Sequence, residues 1–193
     1  MTLRIRSQIP LTETAGLKWM DDCGPTSLAM AIGWASKYAK FPTEKEAWEM
    51  VGKAGRVDRP DKGDGTSFAH LIKAAKKYGA TYEYVRTCPD MLRKAKAGAA
   101  IILAIQASKI VIPTRALSKW QKKSFAKKPD NYSYGHYVVL AHDGQGWLYA
   151  CPTMDAKKEG AVRLTQPEVD MLSLSKGVFP PPAVAFSVKD VVD

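Results

Sequence analysis

Two side chains in this sequence have the type and setting for covalent chemistry. Cys23 stands in the run Asp21-Asp22-Cys23-Gly24-Pro25-Thr26-Ser27. Apolar residues Leu28, Ala31, Ile32, Ala35 and Tyr38 predict a helix beginning at this cysteine, with Asp22 as its cap and Pro25 in its first turn. A thiol at a helix N-terminus sits among unpaired amide hydrogens and the positive end of the dipole, which favour the thiolate. Gly24 lets backbone and substrate approach the sulfur. A thiolate attacking a carbonyl needs a proton-accepting partner. His136 supplies the matching group, directly after Gly135 at the first residue of the apolar run HYVVLAH. A strand start is a fixed platform from which a side chain can enter a cleft.

The competing use of these residues is a metal. Cys23, Cys88, Cys151, His70, His136 and His142 are the available ligands, but no C-x-x-C or H-x₃-H spacing occurs. His136 and His142 would lie ~20 Å apart on one strand, too far for one ion. The sequence therefore predicts no metal and no cofactor. His70 is expected off the apolar stripe and in solvent, and Cys88-Pro89 reads as a helix entrance with a buried thiol.

The elements that position the pair can be read in order. Thr43-x-x-Glu46 is a capping box that opens a helix running to about Lys53. A third helix starts at Thr66 or Ser67 and is ended by Gly79; a short one follows Pro89 and stops at Gly98. TYEYV (81–85), AAIILAIQ (99–106), HYVVLAH (136–142), GWLYAC (146–151), VRL (162–164) and AVAFSV (183–188) read as strands. The second of these is apolar throughout, as suits a strand covered on both faces. Helices first and mostly antiparallel strands afterwards make an α+β layout. One domain is expected over 1–193, with 1–16 as an extended lead-in, 107–135 as a surface insertion and 189–193 as a tail.

Composition narrows the class. The 193 residues are 46% hydrophobic and 25% charged, which is ordinary for a globular chain. No apolar run is long enough to span a membrane, and MTLRIRSQIPLTET is too polar for a signal peptide. The chain is therefore expected to be made in the cytoplasm. Three cysteines without close pairing argue against a disulfide framework. The net charge of +10 attracts polyanions. Lys119, Lys122, Lys123, Lys127 and Lys128 cluster around Trp120 and Phe125, in the manner of a single-stranded nucleic-acid contact, yet no zinc finger or RNP motif accompanies them.

Cys23-Gly24-Pro25-Thr26-Ser27-Leu28-Ala29-Met30, followed far downstream by Gly135-His136-Tyr137-Val138-Val139, resembles the papain-like cysteine peptidases. Within them it looks most like the bacteriocin-processing, double-glycine-leader group and its lysin-type relatives. Gly65-Thr66-Ser67, Lys77-Tyr78-Gly79 and Gly98 agree, so the resemblance covers roughly residues 16–155. It implies Cys23 as nucleophile and His136 as general base, with a third residue orienting the imidazole. In the family that residue is usually an aspartate directly before a proline; here Cys151 precedes Pro152. Asp155 is the preferred substitute, with Cys151 and Asp143 as alternatives. Asp143 falls in the turn at the strand's far end, ~20 Å from His136. The family also carries an oxyanion glutamine five or six residues ahead of the cysteine, where this chain has Leu17 and Lys18. Lys18 can serve as a cationic donor beside the Cys23 N–H, with Trp19 and Gly135 lining the site.

Three functions follow. The first is a cysteine endopeptidase or amidase working through an acyl-enzyme on a peptide with small residues near the scissile bond, or on a peptidoglycan cross-bridge. The charge favours the wall, in the manner of a bacteriophage endolysin or a bacterial lysin, acting there or as part of a virion. The second is a catalytically weakened peptide-binding relative. The third is a basic nucleic-acid-binding protein.

Overall fold

The computed structural model describes residues 1–8, 22–54, 66–127, 134–174 and 183–188. Lys18, Trp19, Lys128, residues 9–16 of the lead-in and the 189–193 tail lie outside these residues. Helix α1 (Cys23–Ala35) is built from small and apolar residues, CGPTSLAMAIGWA, and is buried from Cys23 through Trp34. A helix buried all round belongs at the centre of a fold rather than on its surface. Its two glycines stand where neighbours come close. A methyl group on Gly24 would stand 2.5 Å from Thr66 Cβ, and one on Gly33 2.4 Å from a ring carbon of Phe41.

Two helices flank it. Helix α2 (Glu44–Lys53) carries the expected capping box between Thr43 and Glu46, and α3 (Phe68–Lys77) starts from Ser67 with an equivalent pairing to His70. His70 Nδ1 accepts from the Ser67 N–H at 3.3 Å. Gly79 ends α3 at φ +74°, the left-handed region that glycine enters without steric cost.

The remaining elements form a sheet and its second cover. In chain order they are β1 (Ala80–Tyr84), α4 (Cys88–Lys96), β2 (Ala100–Ala107), α5 (Lys119–Lys127), β3 (Tyr134–His142), β4 (Trp147–Ala150), β5 (Val162–Leu164), α6 (Gln166–Leu174) and β6 (Ala183–Val188). The six strands make one antiparallel sheet in the order β1-β6-β2-β3-β4-β5. β2 is central and buried almost throughout, which explains its continuous apolar run. Its odd-numbered residues Ile101, Leu103 and Ile105 pack with Met91, Phe125, Val138 and Leu140 on one face. Ala100 and Ile102 pack with Leu28, Ile32, Val139 and Ala141 on the α1 face. The α+β layout read from the sequence is thus the fold, with two cores separated by the sheet.

The 107–135 segment departs from a surface excursion. Ile112, Ala116, Leu117 and Phe125 are buried in the core opposite α1, so the stretch before β3 is part of the packing. Lys119, Lys122, Lys123 and Lys127 remain exposed on the outside of α5. Helix α6 was not expected; Arg115 clamps it to the 3₁₀ turn Thr114–Ala116 through Glu168. At the N-terminus Leu3 is buried against the α1 face, and the Tyr38 hydroxyl holds this segment, accepting from Arg4 N and donating to Thr2 O.

Candidate active site

Strand β3 is longer than its neighbour. Its pairing with β4 begins at Val139↔Ala150, so Tyr134–Val138 run on past the end of β4. On the other side β2 stays paired with β3 as far as Tyr134. This makes an open edge at the start of β3, and His136 lies on it with Gly135 exposed beside it.

The imidazole is only 5% exposed, and burial alone pushes its pKa down to about 3. A buried ring without a compensating anion favours the neutral form. Its Nε2 lies 3.1 Å from the Sγ of Cys151, the residue just after β4. Cys151 is fully buried, and burial pushes its thiol pKa up. The two share the face that also holds Val138, Leu140 and Tyr149.

Asp155 is engaged elsewhere. Its carboxylate accepts from Lys157 N at 2.9 Å and pairs with Lys158 at 3.5 Å, both in its own loop. Asp143, at the far end of β3, is held by Arg163 through two hydrogen bonds of 3.1 and 2.6 Å, and this cation keeps its carboxyl well below the usual range. Of the three groups considered for orienting the ring, Cys151 is the one in contact with it.

Cys23 opens α1 and is 8% exposed. Asp22 holds the N-cap position without a side-chain cap, its carbonyl accepting from Thr26 N at 3.1 Å. The space beside Gly24 is filled by Thr66. Strand alternation puts Tyr137 on the α1 face and His136 on the other. Tyr137 packs edge-on against Phe68 at 5.1 Å, and the charge of Cys23 adds to burial in raising the tyrosine pKa. The thiol therefore lies near the same end of β3 as His136. Any approach between sulfur and imidazole runs around the edge that β4 leaves open.

Several residues around the ring were not singled out by type or spacing. Thr153 Oγ1 lies 3.0 Å from Cys151 Sγ and 2.8 Å from Ser118 Oγ. Ser118 Oγ accepts from Gln121 N at 3.1 Å, and Gln121 Oε1 accepts from Ser118 N at 2.9 Å. Gln121 Nε2 donates to the Tyr134 hydroxyl at 3.2 Å, and the Tyr134 ring meets His136 edge-on at 5.3 Å. Small hydroxyl residues in loops carry no periodic signal, so nothing in the sequence marks them. Gln8 is also placed here: it is 3% exposed and donates its N–H to Pro152 O at 2.9 Å.

No protein-family model and no curated protein sequence matches the chain. Solved structures do. The peptidase domain of Streptococcus ComA, a bifunctional ABC transporter of a quorum-sensing pathway, superposes with a TM-score of 0.54 at 14% identity, covering 97% of this chain and 99% of that one. A C39-like peptidase from Bacillus anthracis gives 0.52 at 18% identity, over 97% and 95%. A central helix opening on Cys23, packed on an antiparallel sheet, is therefore the fold of these peptidase domains.

Proposed function

We propose that the protein is a cysteine peptidase in which Cys23 attacks a peptide carbonyl. Two observations support this: a thiol at the N-terminus of a buried helix and an imidazole at the open start of the adjoining strand stand near the same end of β3, on a fold shared with peptidase domains. The Cys23 S–H proton passes to His136 Nδ1, since Nε2 is taken up by Cys151. The thiolate adds to the carbonyl carbon, and the resulting oxyanion is met by the Cys23 N–H. His136 then returns the proton to the leaving amine, and an acyl-enzyme remains. Water, deprotonated by the same nitrogen, hydrolyses the thioester and regenerates the thiol. Cys151 stands where a carboxylate would orient the ring. A second oxyanion donor has two candidates, of which the Gln8 amide is a group of the right type buried beside Pro152. Lys18 is the alternative donor, and Trp19 and Gly135 are kept as lining residues.

The substrate is a peptide with small residues at the scissile bond. The charge of +10 supports an anionic setting for it, such as a cell-wall cross-bridge cleaved by a bacterial or phage lysin. Among the described residues no helix is long and apolar enough to cross a membrane.

Hydrolysis of glycine-rich and cross-bridge peptides by the purified protein tests this reading. Cys23→Ala should abolish turnover and keep the far-UV circular dichroism of the parent; hydrolysis surviving in that variant would refute the assignment. A second reading has its own support, namely a thiol in the carboxylate's place and an imidazole held neutral by burial. It is a weakened peptidase that binds peptide without turning it over. Saturable binding with no product after prolonged incubation would select it.

A further inference from the structure

The hydroxyls behind Cys151 have a direction. Gln121 N–H donates to Ser118 Oγ, so the Ser118 hydroxyl hydrogen must go elsewhere. The acceptor within reach is Thr153 Oγ1 at 2.8 Å. With that oxygen accepting, the Thr153 hydrogen points to its remaining neighbour, Cys151 Sγ at 3.0 Å. The sulfur then accepts from Thr153, and its own hydrogen goes to the ring nitrogen at 3.1 Å. The Tyr149 hydroxyl is buried close by, and its interaction with the sulfur raises the tyrosine pKa while opposing the burial-driven rise of the thiol's, the signs of a hydroxyl donating to sulfur rather than taking its hydrogen. All the links are buried: Ser118, Gln121 and Cys151 are 0% exposed and Thr153 2%.

The geometry points to a one-way donor chain, Gln121 N–H to Ser118 to Thr153 to Cys151 to His136 Nε2, that holds the neutral imidazole with its proton on Nδ1. Ser118 and Thr153 are thus positioning residues that set where the ring carries its hydrogen. A carboxylate in place of Cys151 would do the opposite, because it has no hydrogen to give and would draw the proton onto Nε2. The chain begins on α5, in the segment between β2 and β3, so this segment controls the ring from two residues beyond its direct contact. The assignment deepens the peptidase reading. Nδ1 can take the Cys23 proton only when its lone pair is free, so the resting tautomer is the idle one and the active fraction is small. A wrongly protonated triad histidine is worth ~10⁴ in turnover in serine proteases.

The test is the ¹⁵N NMR spectrum of protein labelled at histidine, with His70→Gln and His142→Gln so that only His136 is seen. At neutral pH the parent should show an unprotonated Nε2 and a protonated Nδ1. Ser118→Ala frees Thr153 to accept from the thiol and should move the ring toward the Nε2–H form. Ser118→Thr restores the donor and should restore the parent pattern. A protonated Nε2 in the parent, or a tautomer ratio unmoved by Ser118→Ala, would overturn the proposal. The spectrum does not depend on hydrolysis. A chain confirmed in a protein that cleaves nothing would count against the peptidase reading alone, and normal cleavage with a protonated Nε2 would count against the chain alone.

Discussion

His136 is held by a sulfur where related chemistry employs an oxygen anion, and the difference is testable by replacement. Cys151→Asp puts a carboxylate at the ring, stabilises the imidazolium and leaves Nδ1 available as a base. Turnover should rise by about tenfold or more, within the ~10⁴ span attributed to tautomer control. Asp155→Asn and Asp143→Asn should change kcat/KM by less than about twofold, because neither carboxylate touches the ring and surface pairs contribute little. A large loss in Asp155→Asn with no gain in Cys151→Asp would return the orienting role to Asp155. The choice between them was not legible from spacing. Asp155 has the right chemistry and Cys151 the right position, and only the way the chain turns at Pro152 decides which one faces the imidazole.

At the scale of elements, the sequence was most informative where local chemistry dictates the backbone. The Thr43–Glu46 box, Ser67 ahead of α3, and the stops at Gly79 and Gly98 mark helix ends because they satisfy or release particular backbone groups. β5 and β6 fell where VRL and AVAFSV indicated. Helix α5 was hidden because KWQKKSFAK shows just two buried positions, Gln121 and Phe125, too few for a periodic stripe. Its lysines drew attention to charge, yet its buried face packs in the core, where Gln121 bonds Ser118 and Tyr134. Phe125→Ala should therefore cost about 3–5 kcal/mol of stability in denaturant titration, as expected for a core aromatic. A cost near zero would make the 107–135 segment the surface excursion that its polarity suggests. Gly24→Ala should also destabilise, because its methyl group would collide with Thr66.

Over the whole molecule, the fold keeps a titratable ring out of water, which leaves a signature in stability. His136 has a folded pKa of about 3 against an ordinary value of 6.5. Between those values the unfolded chain binds a proton that the folded one does not, so stability falls as pH drops from 6.5 toward 3. The slope from this group is up to about 1.4 kcal/mol per pH unit. His136→Gln should flatten the decline, and an unchanged slope would place the ring in water. The net charge of +10 acts at this scale as well, as a field that attracts polyanions.

The central claim, that Cys23 is a nucleophile served by His136, is tested most directly by covalent labelling with a peptidyl chloromethyl ketone, read by mass spectrometry of the digested protein. The account predicts one adduct per chain, on Cys23, with Cys88 and Cys151 unmodified and labelling slowed at least tenfold in His136→Ala. Folded protein whose Cys23 stays unlabelled, or labels equally fast without the imidazole, would contradict it.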